Sequence, residues 1–179
     1  MKEKYQAQPD FVVSVMQDDD VDSVTRMRLQ SWLDTYVNDE YGVTREWIAA
    51  RNKDQMSPKM MQSRKERLRD PNVGSFVAKD TEGAVIGVAM TRREDGVQHL
   101  GSLYVDKVWH GTGVASALMM EALRWSDPQE PMVLEVVAYN ERAKAFYRKW
   151  GFVEMPGSEK MFEHIMPEIT MMRKGDAQS

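Results

Sequence analysis

A pair of glycines between an apolar segment and a helical pattern is the stretch of this chain best suited to chemistry. Residues 105–123 read VDKVWHGTGVASALMMEAL. A turn that leads into a helix presents unpaired N–H groups at the positive end of the helix, and glycine lets the backbone approach an anion closely. Gly111, Thr112 and Gly113 therefore predict a diphosphate site, to which the Thr112 hydroxyl and His110 can add donors. An ordinary tight turn is the alternative.

A dinucleotide site of the Rossmann type does not fit this turn. That fingerprint needs G-x-G-x-x-G after the first strand of a βαβ unit. Here Ser116 stands in place of the third glycine, and a continuous region of three predicted strands directly precedes the turn. The chemistry expected at the turn is therefore diphosphate binding without a dinucleotide fold.

A second stretch, residues 136–152, combines a helix cap with an aromatic stripe. It reads VVAYNERAKAFYRKWGF, in which Asn140 is a favourable N-cap. The residues with helical spacing are Ala143, Phe146, Tyr147 and Trp150. Such a stripe is typical of a helix packed on a core, but a tyrosine hydroxyl at its edge needs a partner when it is buried.

Hydrophobic periodicity and helix caps predict the elements that position these residues. The predicted strands are residues 11–16, 74–80, 84–91, 97–105, 131–138, 151–155 and 168–174, and the predicted helices are one that ends near Tyr36, one capped by Thr44, one capped by Ser57 with Pro58 at its first position, and residues 113–125 and 141–150. Hairpin turns join the three central strands, and a right-handed strand–helix–strand crossover follows them. The predicted fold class is α/β, with a mixed central sheet, an antiparallel first half, a parallel βαβ crossover and helices on both faces.

Length and composition limit the classes of protein that remain. The 179 residues fit a single domain, 1–179, with a core at about residues 11–174 and a polar tail at 175–179. The formal net charge of −4 argues against nucleic acid as the main partner. The chain has no cysteine, which excludes disulfides, thiolate metal sites and acyl intermediates on a protein thiol. No signal-peptide pattern or membrane-length apolar run is present, so a cytoplasmic location without membrane contact is expected.

The two stretches together resemble the GNAT superfamily of N-acetyltransferases. The pyrophosphate loop of that family has the pattern Q/R-x-x-G-x-G/A at the start of a helix, and here residues 110–115 read HGTGVA. The family's second motif, N-x-x-A-x-x-F-Y-x-K-x-G-F, is complete at residues 140–152. The resemblance extends over residues 11–174 and is most specific at residues 100–152. It implies acetyl-CoA as cosubstrate, with no metal.

The resemblance also implies roles for individual residues. It assigns to the cosubstrate Leu103, Tyr104, Val105, His110, Gly111, Thr112, Gly113, Val114, Ala115, Ser116, Asn140, Ala143 and Tyr147. The backbone at 103–105 would pair with the pantetheine arm, and an N–H there would polarise the acetyl carbonyl. Tyr147 would be catalytic, as the proton donor to the leaving thiolate. His110 departs from the pattern because it lacks the permanent charge of arginine, for which Lys107 is a candidate replacement.

The resemblance also implies that the acceptor site lies at the first two helices and their connection. Trp32 and Tyr36 on the first helix and Glu135 on the strand after the crossover are the candidate substrate-binding residues. Glu135 and His99 are the candidate general bases. Asp34, Asp39 and Glu40 lie among the aromatic residues of this region, a composition that favours a cationic amine.

The function predicted from the sequence is direct transfer of an acetyl group to a primary amine. A small, polyamine-like acceptor is the leading hypothesis. A protein or peptide N-acetyltransferase and a non-catalytic acyl-CoA-binding module are the alternatives.

Overall fold

The computed structural model describes residues 10–176. Segment 1–9, on which the expectation about a signal peptide depends, and the last three residues of the polar tail lie outside the described residues. Within 10–176, the strands are β1 (Phe11–Val15), β2 (Val73–Asp80), β3 (Val85–Glu94), β4 (Val97–Val105), β5 (Met132–Val137), β6 (Val153–Glu154), β7 (Lys160–Phe162) and β8 (Met166–Arg173). The helices are α1 (Val21–Thr35), α2 (Arg45–Asn52), α3 (Pro58–Arg67), α4 (Val114–Trp125) and α5 (Glu141–Lys149).

Local capping chemistry explains where several helices begin. The Thr44 hydroxyl accepts the amide of Trp47 at the start of α2, at 3.1 Å. Ser57 caps α3, where Pro58 occupies the first helical position and needs no N–H partner. Asn140 caps α5 by accepting the amide of Ala143 at 3.1 Å. These three cap residues predicted from the sequence are therefore the ones that the structure uses. The carboxylates of residues 17–24 were also expected to cap α1, but Asp20 at its N-cap forms no side-chain cap hydrogen bond.

The eight strands form one mixed sheet in the order β1-β2-β3-β4-β5-β8-β6, with β7 paired to β8. Strands β1 to β4 form an antiparallel meander, β4 and β5 are parallel, and β5 and β8 are antiparallel. Helix α4 connects β4 to β5 as the crossover. The predicted fold class is confirmed.

Strands β4 and β5 pair over a short length and then diverge. Within the described residues, Gln98 and His99 of β4 lie opposite Met132 and Val133 of β5, and no later residue of β4 pairs with β5. The β3–β4 register shifts so that Gly101 lies in a bulge, and bulges increase the local bend and twist of a strand. The result is a gap in the centre of the sheet.

Apolar side chains cover both faces of the sheet. On one face, α4 and α5 contribute Leu118, Met119 and Tyr147 to a core with Leu134 of β5 and Met171 of β8. On the other face lie α1 and α3, whose apolar residues pack on β2 and β3. The gap between β4 and β5 is therefore lined by residues from both layers. No helix within residues 10–176 has the length and apolar character needed to cross a membrane.

The C-terminal part differs in detail from the prediction. The strand expected at 151–155 is reduced to Val153–Glu154, and β7 was not predicted. Strand β7 is three residues long, too short for an alternating pattern to be read from its sequence. It forms a hairpin with β8 across His164, which has a positive φ of 63°.

Candidate acetyltransferase site

A cavity of about 590 Å³ lies on the α4–α5 side of the gap in the sheet. We call it the large cavity. Its lining residues are Ser31, Thr35, Tyr36, Leu103, Tyr104, Val105, Trp109, His110, Gly111, Gly113, Ala115, Ser116, Glu135, Val136, Asn140, Arg142, Ala143, Ala145, Phe146, Tyr147 and Lys149. The stretch with the two glycines and the stretch with the aromatic stripe, which are separate in the sequence, thus face the same space.

The glycine turn has the geometry that an anion site requires. Gly111 and Gly113 have φ angles of 81° and 98°, and a Cβ atom on either would meet no atom within 4 Å. No side chain in the described part of the chain caps α4. The first amides of an uncapped helix need partners, and Gly113, Ala115 and Ser116 at this end line the large cavity. An anion in the cavity would satisfy these amides.

A cationic group, the Arg142 guanidinium, contacts His110 at this turn. The His110 Nε2 lies 3.1 Å from the Val105 carbonyl oxygen, and its Nδ1 contacts a guanidinium nitrogen of Arg142. Because the carbonyl can only accept and the guanidinium can only donate, His110 is the neutral tautomer that carries its proton on Nε2. Arg142 lines the large cavity, so it supplies the permanent positive charge that His110 lacks.

Lys107 does not have the compensating position suggested by the sequence. Its ammonium forms an ion pair with Asp34 at 3.0 Å, and Lys107 does not line the large cavity. Arg142 was missed because the second motif leaves its position unspecified. The signal was present, since Arg142 follows the Asn140 cap by two residues and lies on the first turn of the helix.

The β4 edge that borders the large cavity has free backbone groups. The amide of Asp106 donates to Ile86 of β3 at 2.9 Å. Backbone groups alternate sides along a strand, so Leu103 and Val105 direct theirs towards β5, where the two strands have already diverged. The Val105 carbonyl accepts from His110, so the free groups of this edge are the amide of Val105 and the amide and carbonyl of Leu103. By the same alternation the backbone of Tyr104 faces β3. Tyr104 therefore contributes its side chain rather than its backbone.

Tyr147 projects from α5 into the large cavity. The residue is 9% exposed, and its hydroxyl has no hydrogen-bond partner among residues 10–176. Burial, with a smaller effect of Tyr104, raises the pKa of this hydroxyl well above its usual value. The group is therefore protonated at neutral pH and is available to donate.

Three of the residues predicted to bind the cosubstrate either lie outside the large cavity or use their side chain for another contact. Asn140 lines the cavity, but its side-chain oxygen is used to cap α5. Thr112 and Val114 do not line the cavity. The Thr112 hydroxyl donates to the Trp109 carbonyl at 2.7 Å, and the Val114 side chain is fully buried in the core.

A second cavity, of about 240 Å³, lies on the α1–α2 side of the gap. We call it the small cavity. It shares Tyr36, Tyr104 and Glu135 with the large cavity, so the two meet at these residues. The Tyr104 hydroxyl lies 3.0 Å from Trp32 Nε1 and 3.4 Å from the Tyr36 hydroxyl. Trp32, Tyr36 and Glu135, the predicted substrate-binding residues, all line the small cavity.

The small cavity also contains groups that could accept a proton. Glu135 is exposed and forms an ion pair with Lys160 of β7. Burial, and then Arg92, lowers the pKa of His99. The sequence did not single out Glu168 of β8, because the residues that surround it lie on elements distant in the sequence. Burial, followed by the charge of Glu135, raises the pKa of the Glu168 carboxyl.

Positive charge at the small cavity comes from three arginines that the sequence did not single out. Arg51 pairs with Glu163 at 2.9 Å and lies over the rings of Trp32 and Phe162. Arg92 pairs with Glu94. Arg28 of α1 lies over the Tyr104 ring, 5.6 Å from its centroid.

The acidic residues noted between the aromatic residues lie elsewhere. Asp34 is held by Lys107, and neither Asp39 nor Glu40 lines the small cavity. Asp39 and Glu40 belong to a short 3-10 turn between α1 and α2. The carboxylates that face the small cavity are Glu135 and Glu168.

Comparison with known proteins agrees with this architecture. A family model described as an acetyltransferase (GNAT) domain matches residues 33–174. An uncharacterized N-acetyltransferase of Mycobacterium tuberculosis is 37% identical over 90 residues, which are 49% of this chain and 57% of the relative. The chain thus spans little more than half the length of the curated relatives it matches.

Two solved structures have the same fold at low identity. The PaiA N-acetyltransferase of Thermoplasma acidophilum, in complex with coenzyme A, has a TM-score of 0.74 at 18% identity over 92% of this chain and 98% of that one. A phosphinothricin acetyltransferase of Sinorhizobium meliloti, in complex with acetyl-CoA, has a TM-score of 0.69 at 20% identity over 92% and 88%. Because the family model also matches most of the sequence, the chain belongs to the GNAT acetyltransferase family.

Proposed function

We propose that this protein transfers an acetyl group from acetyl-CoA directly to the primary amine of a small acceptor. One observation carries the proposal: the large cavity, with an anion-binding turn at one end and Tyr147 on its wall, meets the small cavity at Tyr36, Tyr104 and Glu135. Two substrates in these cavities would have their reacting ends at the junction. The proposal treats residues 1–179 as one N-acetyltransferase domain.

The residues of the large cavity fit coenzyme A. The uncapped start of α4 suits the diphosphate, and Arg142 and Lys149 add positive charge beside it. The free amide of Val105 and the free amide and carbonyl of Leu103 suit an amide-containing arm, which would extend the sheet as a strand does. The thioester supplies the acetyl group.

Side chains of the two cavities can accept and donate the protons that acetyl transfer moves. A primary ammonium with a pKa near 10.4 must lose a proton before its nitrogen can attack the acetyl carbonyl. Glu135, which faces both cavities, and Glu168 are positioned to accept it. After the attack, the nitrogen of the tetrahedral intermediate carries a positive charge and loses its second proton to solvent. When the carbon–sulfur bond breaks, the Tyr147 hydroxyl donates a proton to the sulfur, and solvent restores the tyrosine proton. The products are an N-acetylated amine and a free thiol, with net release of one proton.

The acceptor is small in this proposal. The volume of the small cavity is below the range of roughly 300–1,000 Å³ that is typical of sites for drug-sized ligands. That size favours a metabolite over a folded protein. The polyamine hypothesis depends on the acidic charge of the chain, on aromatic residues that attract cations and on Asp34, Asp39 and Glu40. Trp32 and Tyr36 line the small cavity, but the three carboxylates lie outside it, so the structure does not support that part of the hypothesis.

The test is an acetyl-CoA turnover assay read by thiol release. The purified protein is given acetyl-CoA with a panel of amines, amino acids and short peptides, and acetylated products are identified by mass spectrometry. We expect amine-dependent thiol release with at least one small amine. Binding of acetyl-CoA without turnover of any amine would instead favour a non-catalytic acyl-CoA-binding module. Peptides that are acetylated faster with increasing length would favour a protein acetyltransferase.

A further inference from the structure

We infer that the acceptor amine also carries a carboxylate, and that Arg28 binds it. The inference rests on the proposed function, because it assigns the small cavity to the acceptor. It names the acceptor class as amino acids or close amino-acid derivatives. It also makes Arg28, which neither the sequence motifs nor the family pattern single out, a specificity-determining residue.

The first observation is that Arg28 has no anionic partner. Among residues 10–176 it forms no ion pair and no hydrogen bond, and its Nε is buried without a partner. Its contact with the Tyr104 ring satisfies none of its N–H groups. A buried donor without an acceptor is destabilising, and native structures retain few of them.

The second observation is that the other cations of the small cavity are already paired. Arg51 is held by Glu163 and Arg92 by Glu94. Arg28 is therefore the one cavity-lining arginine, within the described residues, whose fork is free. A guanidinium fork matches a carboxylate with two parallel hydrogen bonds.

The third observation is a matching free carboxylate. Glu168 lines the same cavity, and no residue in the described part of the chain forms a side-chain hydrogen bond or an ion pair with it. The cavity thus offers one unpaired cation and one unpaired anion, which are complementary to a zwitterion. Because Arg28 lies over Tyr104, where the two cavities meet, an α-carboxylate bound there would hold the adjacent amine close to the acetyl site.

A diamine fits these charges less well. Its two ammonium groups would face one free carboxylate and one free guanidinium, and the second contact is repulsive. The polyamine hypothesis therefore predicts that a diamine is acetylated faster than the amino acid from which it is formed by decarboxylation. This inference predicts that the amino acid is acetylated faster.

The experiment compares matched pairs that differ by the carboxylate. Lysine is paired with cadaverine, ornithine with putrescine and leucine with 3-methylbutylamine, and the carboxamides of the same amino acids are included. The values of kcat/KM are measured at fixed ionic strength with saturating acetyl-CoA, for all twenty proteinogenic amino acids as well. We expect the best substrate to be an amino acid whose amidation or decarboxylation lowers kcat/KM by about 10- to 100-fold.

Variants separate carboxylate binding from a structural role. Arg28→Met should raise the KM for the best amino acid by a similar factor with little change in kcat, and should abolish the preference over the amide. Arg28→Lys should restore part of the preference. Arg26→Met on the same helix, where Arg26 is exposed and paired with Asp22, is the matched control and should behave as the wild type.

Several results would overturn the inference. Diamines or carboxamides that react as well as amino acids would do so, and so would a panel in which no carboxylate-bearing amine is acetylated or raises the Tm of the acetyl-CoA complex. An Arg28→Met variant that keeps the full preference would also contradict it. Failure of the proposed function looks different: acetyl-CoA would neither raise the Tm of the wild-type protein nor be consumed with any amine.

Discussion

Tyr147 combines burial, a free hydroxyl and a position on the wall of the large cavity. Replacing it with phenylalanine keeps the ring packing and removes the proton donor. We expect Tyr147→Phe to lower kcat by about 10²-fold, while the Tm increase caused by acetyl-CoA is retained. Steady-state thiol release and thermal unfolding with and without acetyl-CoA measure the two effects.

Tyr41→Phe is the matched control for this variant. Tyr41 is 38% exposed, stacks on Tyr139 and does not line either cavity. Removal of the Tyr41 hydroxyl should leave kcat unchanged. Full activity in Tyr147→Phe would assign Tyr147 to packing alone and leave water as the proton donor.

His110 illustrates why a family pattern alone is a poor guide to substitution. Arginine is common at this position in the family pattern, yet here His110 accepts from Arg142 through Nδ1. An arginine cannot accept, and it would place a second positive charge against Arg142. We expect His110→Arg to weaken acetyl-CoA binding by about tenfold, the loss of roughly one charged hydrogen bond. Isothermal titration measures this, with Lys107→Arg as a control that should bind normally. Tighter binding by His110→Arg would contradict the assigned tautomer.

The ionised carboxylate of Glu168 in the small cavity is expected to lower the free energy of unfolding of the protein near neutral pH. Its pKa is raised in the folded protein, chiefly by burial and then by Glu135. A carboxyl whose folded pKa lies above its unfolded value destabilises the protein as the pH rises above the unfolded value of about 4.3, and most strongly above the folded pKa. Glu168→Gln should therefore raise the Tm near pH 7 by about 1–3 °C after allowance for solvent screening.

The pH dependence distinguishes this effect from a packing effect. Near pH 3 the carboxyl is protonated in both states, so the advantage of Glu168→Gln should vanish at about that pH. Thermal unfolding of the wild type and the variant between pH 3 and 8 checks the sign. Glu82→Gln, in an exposed turn, should change nothing. An advantage that persists at low pH would mean that the charge of Glu168 is not its cause.

At the scale of elements, the site depends on where the sheet opens and how α4 begins. The divergence of β4 from β5 exposes the β4 edge, and α4 places its first amides beside that edge. Gly87 of β3 allows this packing, since a Cβ there would lie 2.8 Å from Leu118 Cδ1 and 3.1 Å from Val114 Cγ1 of α4. The glycine turn at residues 111–113 is therefore held by close contact between helix and sheet.

Gly113 tests whether this turn holds acetyl-CoA. At its φ of 98° a β-branched residue is strained, and its side chain would occupy the path of the diphosphate. Gly113→Val should abolish an acetyl-CoA-dependent Tm increase that in the wild type reaches about 5–10 °C at 100 times Kd. The matched control is Gly83→Val, because Gly83 has a φ of 85° with open space around it and lies in the β2–β3 turn. Gly83→Val should lose similar intrinsic stability yet keep the full increase. An undiminished increase in Gly113→Val would place the ligand elsewhere.

The helices and strands can be predicted from the sequence more completely than the residues that line the small cavity. Caps such as Thr44, Ser57 and Asn140 act within four residues, so local patterns reveal them. Arg28 and Glu168 lie 140 residues apart in the sequence numbering, and only the assembled sheet brings them to one cavity. Nothing in their neighbourhoods distinguishes them from ordinary surface charges. Asp39 and Glu40 show the reverse, since their local context suggested a site that the tertiary structure does not form.

At the scale of the whole molecule, two cavities meet at the gap in the sheet. Helices α4 and α5 line the large cavity together with the end of α1, and α1 also contributes to the small cavity. Tyr36, Tyr104 and Glu135 line both cavities. In the proposed function each substrate occupies its own cavity, so both would be bound at the same time.

This arrangement predicts a ternary-complex reaction. The chain has no cysteine to carry an acetyl group, and Tyr147, with a raised pKa, is a poor nucleophile at neutral pH. Initial rates measured over a grid of acetyl-CoA and acceptor concentrations should give double-reciprocal lines that intersect. Desulfo-CoA, which keeps the diphosphate and the pantetheine arm but lacks the reactive sulfur, should compete with acetyl-CoA and leave the acceptor site open. Parallel lines, together with an acetylated protein detected by mass spectrometry in the absence of acceptor, would contradict direct transfer, because they would require a covalent intermediate on a side chain other than cysteine.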